Sequence, residues 1–94
     1  MTDKPASSPE WAEFARQLGI NLRRARAAID LTQEETAAIA GISLYAYQQY
    51  ERGRTMSGQG SATNPRLATI LAISQSLRTN LQDLLPESPD LTVR

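Results

Sequence analysis

Apolar residues recur along the chain at steps of three and four, the period of an α-helix that packs on one side. The first stripe comprises Trp11, Phe14 or Ala15, Leu18, Leu22, Ala25 and Ile29. Ser8 before Pro9 predicts the start of this helix, because serine caps helix N-termini and proline favours the first helical position. A capping box of Ser7 and Glu10 is an alternative start one residue earlier. Asp30 follows the stripe and tolerates the left-handed conformation that ends many helices.

A second and a third helix follow with clear start and stop signals. Thr32 and Glu35 form a capping box, and Gly41 is placed to end the helix that the box begins. Ser43 can cap the next helix at once, so a turn of about three residues joins the two. The spacing therefore predicts two short helices joined by a tight turn.

The predicted third helix, Leu44 to Glu51, contains all three tyrosines of the chain. Tyr47 and Tyr50 share one face of that helix, and we expect this face to pack. The opposite face displays Tyr45, Gln48, Gln49 and Arg52. Glutamine bonds adenine, arginine pairs with guanine or phosphate, and tyrosine offers a ring and a hydroxyl. The displayed face is a candidate for reading DNA, although the same residues also occur on ordinary solvated helices.

The rest of the chain predicts a loop and two further helices. Gly53 to Pro65 is rich in glycine and lacks periodicity, which predicts a loop of unusual length for so small a domain. A fourth helix is predicted after Asn64 or Pro65, and Asn80 can cap a short fifth helix, LQDLL. The residues expected to face the core from these helices are Leu67, Ile70, Leu71, Ile73, Ser74, Leu77, Leu81, Leu84 and Leu85. The pattern predicts an all-α fold of five helices around one core.

Composition limits the chemistry that this chain can perform. Its 94 residues, 40% of them hydrophobic, suit one domain. The absence of cysteine and histidine excludes disulfides, the usual zinc sites and the commonest general base. The acidic residues are scattered over predicted helix surfaces, so we expect no enzyme, no cofactor and no small-molecule effector site. No apolar run could span a membrane and no signal peptide is present, so we expect a cytoplasmic protein without a membrane partner.

Charge is unevenly distributed along the chain. The net charge is zero, which argues against strong nonspecific binding to nucleic acid. Between Arg16 and Arg66, however, seven arginines face four acidic residues, a net charge of +3. Every basic residue in this middle part is arginine, whose planar fork suits phosphate and guanine.

These residues, in this order, resemble the phage-repressor-like helix-turn-helix family of the lambda repressor and Cro type. The resemblance covers about Leu18 to Leu85, with the loop as an interruption. The matching positions are Leu18-Gly19, Arg26, Leu31-Thr32-Gln33, Ala37, Ala40, Gly41-Ile42-Ser43, Tyr47, Tyr50, Glu51, Gly53 and the final NLQDLL. The resemblance implies a five-helix lambda-repressor-like domain at residues 8–85, with an extended first helix and a long loop before helix four. Residues 1–7 are expected to be a disordered lead-in and residues 86–94 a flexible tail.

The resemblance also implies roles for individual side chains. Gln33 is expected to bond a phosphate at the start of the second helix and to brace the reading helix. The base-reading candidates are Leu44, Tyr45, Gln48 and Gln49, and the backbone candidates are Gln33, Ser43, Arg52, Arg54 and Arg23. Arg26 and Glu51 occupy the positions of a family ion pair, for which we expect a structural role.

The sequence departs from the family pattern at several positions. Leu44 stands where polar residues are common, so it contacts either a thymine methyl or sugar or a protein partner. Asp30 replaces a usual glycine. The loop is longer than is usual in the family, and we hypothesise that it orders only on DNA, with Arg54, Ser57 or glycine amides as phosphate contacts. Trp11 and Phe14 precede the usual domain start, and they either extend the core or form a self-association surface.

The expected function is sequence-specific transcriptional regulation by a homodimer on double-stranded DNA, as a promoter-occupying repressor or an antitoxin-like autoregulator. A dimer would bind palindromic half-sites about 34 Å apart, with the third helix in the major groove. The competing interpretation is a helical module that binds another protein and has lost DNA reading, which zero net charge and Leu44 favour. The arginines that discriminate between the two, by lining the third helix or dispersing, are Arg23, Arg24, Arg52, Arg54 and Arg66.

Overall fold

A computed structural model describes residues 5–56 and 60–92, and over these ranges the chain is helical. A 3-10 turn at Pro5–Ser7 precedes five α-helices. Their bounds are Pro9–Ala28 (α1), Gln33–Ala40 (α2), Leu44–Arg52 (α3), Leu67–Ser76 (α4) and Leu81–Leu84 (α5). The predicted five-helix, all-α architecture is confirmed. Among the described helices, none combines the length and the apolar character that crossing a membrane requires.

The first three helices begin at the predicted caps. The Ser8 hydroxyl accepts a hydrogen bond from the Trp11 amide, which selects the later of the two predicted starts. Thr32 and Glu35 form both halves of a capping box, and Ser43 caps α3 through the amide of Ala46. The last two helices lack side-chain caps: α4 begins at Leu67, after Pro65 as predicted, and the Asn80 side chain makes no capping bond to α5.

Left-handed residues end the first three helices. Asp30 follows α1 at φ 56°, as its position predicted, and Gly41 and Gly53 follow α2 and α3 at φ 76°. Arg78 adopts φ 57° after α4, a turn for which the sequence carries no glycine or asparagine signal.

All five α-helices contribute side chains to one core. Its buried residues are Leu18, Leu22, Ala37, Tyr47, Ile70, Ile73, Leu77 and Leu84. Three leucines predicted for the core are instead exposed, namely Leu67 at 68%, Leu71 and Leu85. The prediction was wrong on α4 because its buried face centres on Ile70 and Ile73, and Leu67 and Leu71 lie to one side of that face. Leu85 follows α5 in an extended conformation and does not continue the buried face of that helix.

Two glycines allow α1 and α3 to approach closely. A Cβ on Gly19 would overlap the main-chain carbonyl of Glu51, and a Cβ on Gly53 would lie 2.8 Å from the carbonyl oxygen of Ala15. Gly19 therefore sets the distance at which α3 packs on α1.

The loop between α3 and α4 has a paired stem, which the irregular sequence did not predict. Arg54 and Ala62 form an antiparallel bridge, and the Thr55 amide donates to the Ser61 carbonyl at 2.8 Å. The indole of Trp11 donates to the carbonyl of Thr63 at 2.9 Å. The stem is therefore held against α1. The hypothesis that the loop orders only on DNA stays a prediction, and its proposed contact Ser57 lies outside the described residues.

The aromatic pair on α1 contacts this loop through Trp11. The rings of Trp11 and Phe14 stack with centroids 5.0 Å apart, and both side chains are half-buried. The two roles expected for the pair were extension of the core and self-association. The hydrogen bond to Thr63 adds a third role, anchoring the loop stem.

Candidate nucleic-acid interface

The tyrosines of α3 divide between the core and the surface. Tyr47 is fully buried, and Tyr50 is partly buried against the core cluster. Tyr45 is 54% exposed. The predicted division into a packing face and a displayed face is confirmed for all three residues. The displayed face also carries the exposed Arg52, the half-buried Gln48 and the half-buried Gln49.

A buried ion pair joins α1 to the end of α3. Arg26 donates from Nε and Nη2 to the two carboxylate oxygens of Glu51, at 2.6 and 3.2 Å. Its third nitrogen, Nη1, donates to the carbonyl of Leu31 at 3.0 Å, which ties the α1–α2 connection to the same group. The Glu51 side chain is only 2% exposed. The arrangement fixes the relative positions of α1, the start of α2 and α3.

Glu51 remains charged in this environment. Burial raises the pKa of the Glu51 carboxyl, but the hydrogen bonds from Arg26 and Gln33 outweigh burial, and the pKa lies below its usual value. The buried Tyr47 hydroxyl lies beside this pair without a hydrogen bond of normal geometry. Burial and the neighbouring carboxylate raise the pKa of Tyr47, so the phenol stays neutral.

Gln33 at the first position of α2 is held by two neighbours. Its Nε2 donates to Glu51 Oε1 at 3.0 Å, and its Oε1 accepts from Gln48 Nε2 at 3.3 Å. An amide nitrogen carries two hydrogens, so one remains for an external acceptor. Arg23 lies at the same place, with Nε 3.8 Å from Glu51 Oε1 and its side chain 60% exposed. The structure thus brings together Gln33 and Arg23, which are predicted backbone contacts, and Gln48, which is a predicted base reader.

The other edge of the displayed face meets the loop. Gln49 Oε1 accepts a hydrogen bond from the Met56 amide at 2.9 Å, so this predicted base reader holds the loop stem. Arg54 begins the stem and donates to the Gly60 carbonyl at 3.4 Å. The exposed Ser43 hydroxyl is engaged in capping, and Leu44 beside it is half-buried. Of the five arginines that discriminate between the two interpretations, the other two are Arg24, exposed on α1, and Arg66, exposed at the start of α4.

Comparison with known families decides the class of the protein. A family described as helix-turn-helix domain matches residues 17–84, well over half of the chain. The chain belongs to the helix-turn-helix domain family. Its α2, the turn at Gly41 and α3 are the helix-turn-helix unit, and the chain is a DNA-binding regulator and not an enzyme.

Solved structures of other regulators have the same fold as this helix-turn-helix domain. It is similar to the restriction-modification controller protein C.AhdI from Aeromonas hydrophila, at 27% identity and a TM-score of 0.65, over 76% of this chain and 96% of that one. It is also similar to the P22 c2 repressor, solved with a synthetic operator, at 25% identity and a TM-score of 0.61, over 76% and 96% of the two chains. A transcriptional regulator from Vibrio cholerae is 25% identical, with a TM-score of 0.64, over 78% and 36%. No curated protein sequence matches the chain significantly.

The sequence of this helix-turn-helix domain does not indicate the hydrogen-bond partners of the Gln48 and Gln49 side-chain amides. Gln48 and Gln49 were both assigned to bases because they share a helical face. In the structure they bond in opposite directions, Gln48 to Gln33 of α2 and Gln49 to the loop. Only the crossing of α2 over α3 and the return of the loop determine these partners, and no local sequence signal carries that information.

Proposed function

We propose that this helix-turn-helix domain is a sequence-specific transcriptional regulator that binds a palindromic operator as a homodimer and represses by occupying it. In this proposal α3 enters the major groove and α2 braces on the phosphate backbone. An antitoxin-like autoregulator, whose partner is a second protein, would bind DNA through the same surface.

The observation that carries the proposal is that hydrogen bonds already orient the side-chain amide of Gln33. Its side chain is oriented by Glu51 and Gln48, so little further side-chain entropy is lost when it bonds a phosphate. Its remaining N–H lies at the N-terminus of α2, where the helix dipole favours an anion. An amide oriented in this way, bonded to Gln48 of the helix that displays Tyr45, suits a phosphate beside the major groove that α3 would enter.

The candidate contacts divide into base and backbone readers. Tyr45 is the most exposed of the proposed base readers, and Leu44 would contact a thymine methyl or sugar. Gln48 retains its Oε1 for a base edge, whereas Gln49 would have to release Met56 to read one. The proposed backbone contacts are Gln33, Ser43, Arg23, Arg52 and Arg54.

A dimer is proposed because one α3 of nine residues reaches few base pairs. Two-fold pairing doubles the contacts and places the half-sites about 34 Å apart. The P22 c2 repressor, which shares this fold, was solved on a synthetic operator and supports the proposal.

Selection from random-sequence duplexes tests the proposal. The purified chain should enrich a two-fold-symmetric site with half-sites about 10 base pairs apart, and binding should weaken as salt rises. Tyr45→Ala should change the preferred bases, while Gln33→Ala should weaken binding to all sequences alike. Light scattering of the complex should give two chains per site. Folded protein that enriches no sequence would contradict the proposal.

The loop supplies a separate test of backbone contact. Replacing residues 56–60 with a two-residue turn would remove the tip while keeping the bridge between Arg54 and Ala62. If the loop contacts phosphate, the shortened chain should bind every duplex more weakly and with a smaller salt dependence. Unchanged affinity would exclude the loop tip from the interface.

A second candidate function is binding to another protein without DNA reading. Large apolar side chains are exposed on two helices that pack together, Ile39 of α2 at 62% and Leu67 and Leu71 of α4. Where such side chains form a contiguous patch, the patch is typical of protein contacts. If duplex selection fails with folded protein, this surface becomes the first place to search for a partner.

A further inference from the structure

An open cleft of about 420 Å³ lies where α1, the end of α3 and the loop stem meet. Arginines from all three elements line it, Arg16 from α1, Arg52 from α3 and Arg54 from the stem. Among the described residues, the one acidic residue that lines it is Glu13, and small apolar side chains such as Ala12 complete the lining. Three positive charges against one negative charge make the cleft a site for an anion.

The close approach of α1 and α3 creates this cluster. A Cβ on Gly53 would lie 2.8 Å from the Cα of Arg16, so the glycine brings the end of α3 directly onto that residue. The bridge between Arg54 and Ala62 then fixes the third arginine at the base of the loop. Arg16 is far in the sequence from Arg52 and Arg54, and only the fold brings it to the same cleft.

The guanidinium of Arg16 is already oriented. Glu13 accepts hydrogen bonds from Arg16 Nε at 3.0 Å and from Nη2 at 2.8 Å, and Gln17 donates to the same carboxylate at 3.0 Å. These bonds lower the pKa of Glu13 to about 2, so the carboxylate is charged at neutral pH. The bonds to Glu13 use Nε and Nη2 of the Arg16 guanidinium, and Nη1 remains to donate to a second anion.

The cleft continues the displayed face of α3 on its loop side. Gln48 marks the edge of that face toward α2, Gln49 marks the edge toward the loop, and Arg52 belongs to both the face and the cleft. A helix with its side chains is about 10–12 Å across, and the major groove is about 12 Å wide. If Gln33 meets one strand of the groove, the cleft faces the other strand.

We propose that this cleft binds a backbone phosphate of the DNA strand on the loop side of α3, with Arg16 of α1 as a direct contact beside Arg52 and Arg54. The inference rests on the proposed DNA binding and extends the interface to α1. Glu13 orients Arg16, and its negative charge limits the strength of the contact.

The test is the salt dependence of DNA binding, measured by fluorescence anisotropy with the full chain and a selected duplex. Arg16→Ala should weaken binding about tenfold at low salt and reduce the slope of log K against log salt by about 0.9. The loss should be the same for duplexes of different sequence, because a phosphate carries no base identity. Arg24→Ala, on the same helix and outside the cleft, should leave the slope unchanged. Circular dichroism would verify that each variant is folded.

Glu13→Gln provides an independent readout. Removing the carboxylate charge should tighten binding about threefold, because the phosphate no longer meets a negative group in the cleft. A wild-type chain that binds DNA, with Arg16→Ala unchanged in affinity and slope, or with Glu13→Gln giving no gain, would overturn the phosphate site alone. A wild-type chain that binds no duplex would overturn the proposed function together with it.

Discussion

Glu51 bonds side chains from two other helices, Arg26 of α1 and Gln33 of α2. A buried carboxylate is costly to desolvate, and its partners compensate only when the geometry is complete. Here Glu51 receives three hydrogen bonds and orients the amide that we propose for phosphate contact. The same residue therefore contributes both to stability and to preorganisation of the site.

Arg26→Ala should lower the free energy of unfolding by about 3 kcal/mol, because it leaves the Glu51 charge buried with too few partners. Urea denaturation followed by circular dichroism would measure the loss. The double variant Arg26→Met with Glu51→Met should lose less than Arg26→Ala, since it removes both charges. A single variant as stable as the wild type would show that the pair is not strongly coupled.

The pH dependence of stability should carry the signature of Glu51. Its pKa is below the usual 4.5 in the folded state, so the stabilisation is present above that pH and is lost as the pH falls through the folded pKa. Glu51→Gln should lack this part of the acid destabilisation. Unfolding free energies of both proteins at a series of pH values below and above 4.5 would isolate it, because Glu13, Glu35 and Asp90 contribute equally to both. Parallel pH profiles would contradict this assignment.

Asp30 is a residue whose backbone conformation glycine would adopt more easily. At φ 56° its side chain adds strain, and Asp30→Gly should raise the free energy of unfolding by about 0.5 kcal/mol. Asp30→Ala keeps the strain and is the matched control, with no gain expected. A thermal unfolding series would test both, and equal stability of the two variants would argue against strain at this turn.

At the scale of elements, the contact of α1 with α3 depends on Gly19. Gly19→Ala would ordinarily strengthen a helix interior by about 1 kcal/mol. Here the added methyl overlaps the carbonyl of Glu51, so we expect a net loss of about 2 kcal/mol and a displaced α3. Denaturant unfolding would measure the loss, and DNA affinity should fall with it. A stabilised variant would mean that the two helices separate without cost.

The elements themselves could be predicted because their signals are local. Ser8, Thr32 and Ser43 begin helices through caps that lie within three residues of their partners. The three- and four-residue spacing also assigned Tyr47 to the core and Tyr45 to the surface. Caps and periodicity are properties of consecutive residues, so sequence alone expresses them.

The loop and the details of the site could not be predicted because their partners are distant in the sequence. The stem depends on the Trp11 indole, which bonds a carbonyl 52 residues away. Likewise Gln49 was predicted to read bases, while its bond to Met56 depends on how the loop returns to α3. The leucines of α4 were misassigned for a similar reason, since the width of the face that neighbouring helices cover is a property of packing.

At the scale of the whole molecule, charge is balanced overall and concentrated locally. The net charge of zero keeps nonspecific attraction to DNA weak. Arg23 lies beside Gln33 on one side of α3, and Arg52 and Arg54 lie by the cleft on the other. A protein with this charge distribution should bind DNA chiefly at sites whose bases α3 contacts. Its affinity for specific sites should therefore exceed its affinity for nonspecific DNA.

NMR can map the DNA-bound surface directly, by following amide and side-chain shifts as a selected duplex is added to the labelled chain. We expect the largest changes at the side-chain amide of Gln33, along α3 from Ser43 to Arg52, and at the arginine cleft. We expect small changes around Ile39 of α2 and Leu71 of α4. Shifts concentrated on that apolar surface, with α3 unaffected, would contradict the claim that α3 reads DNA.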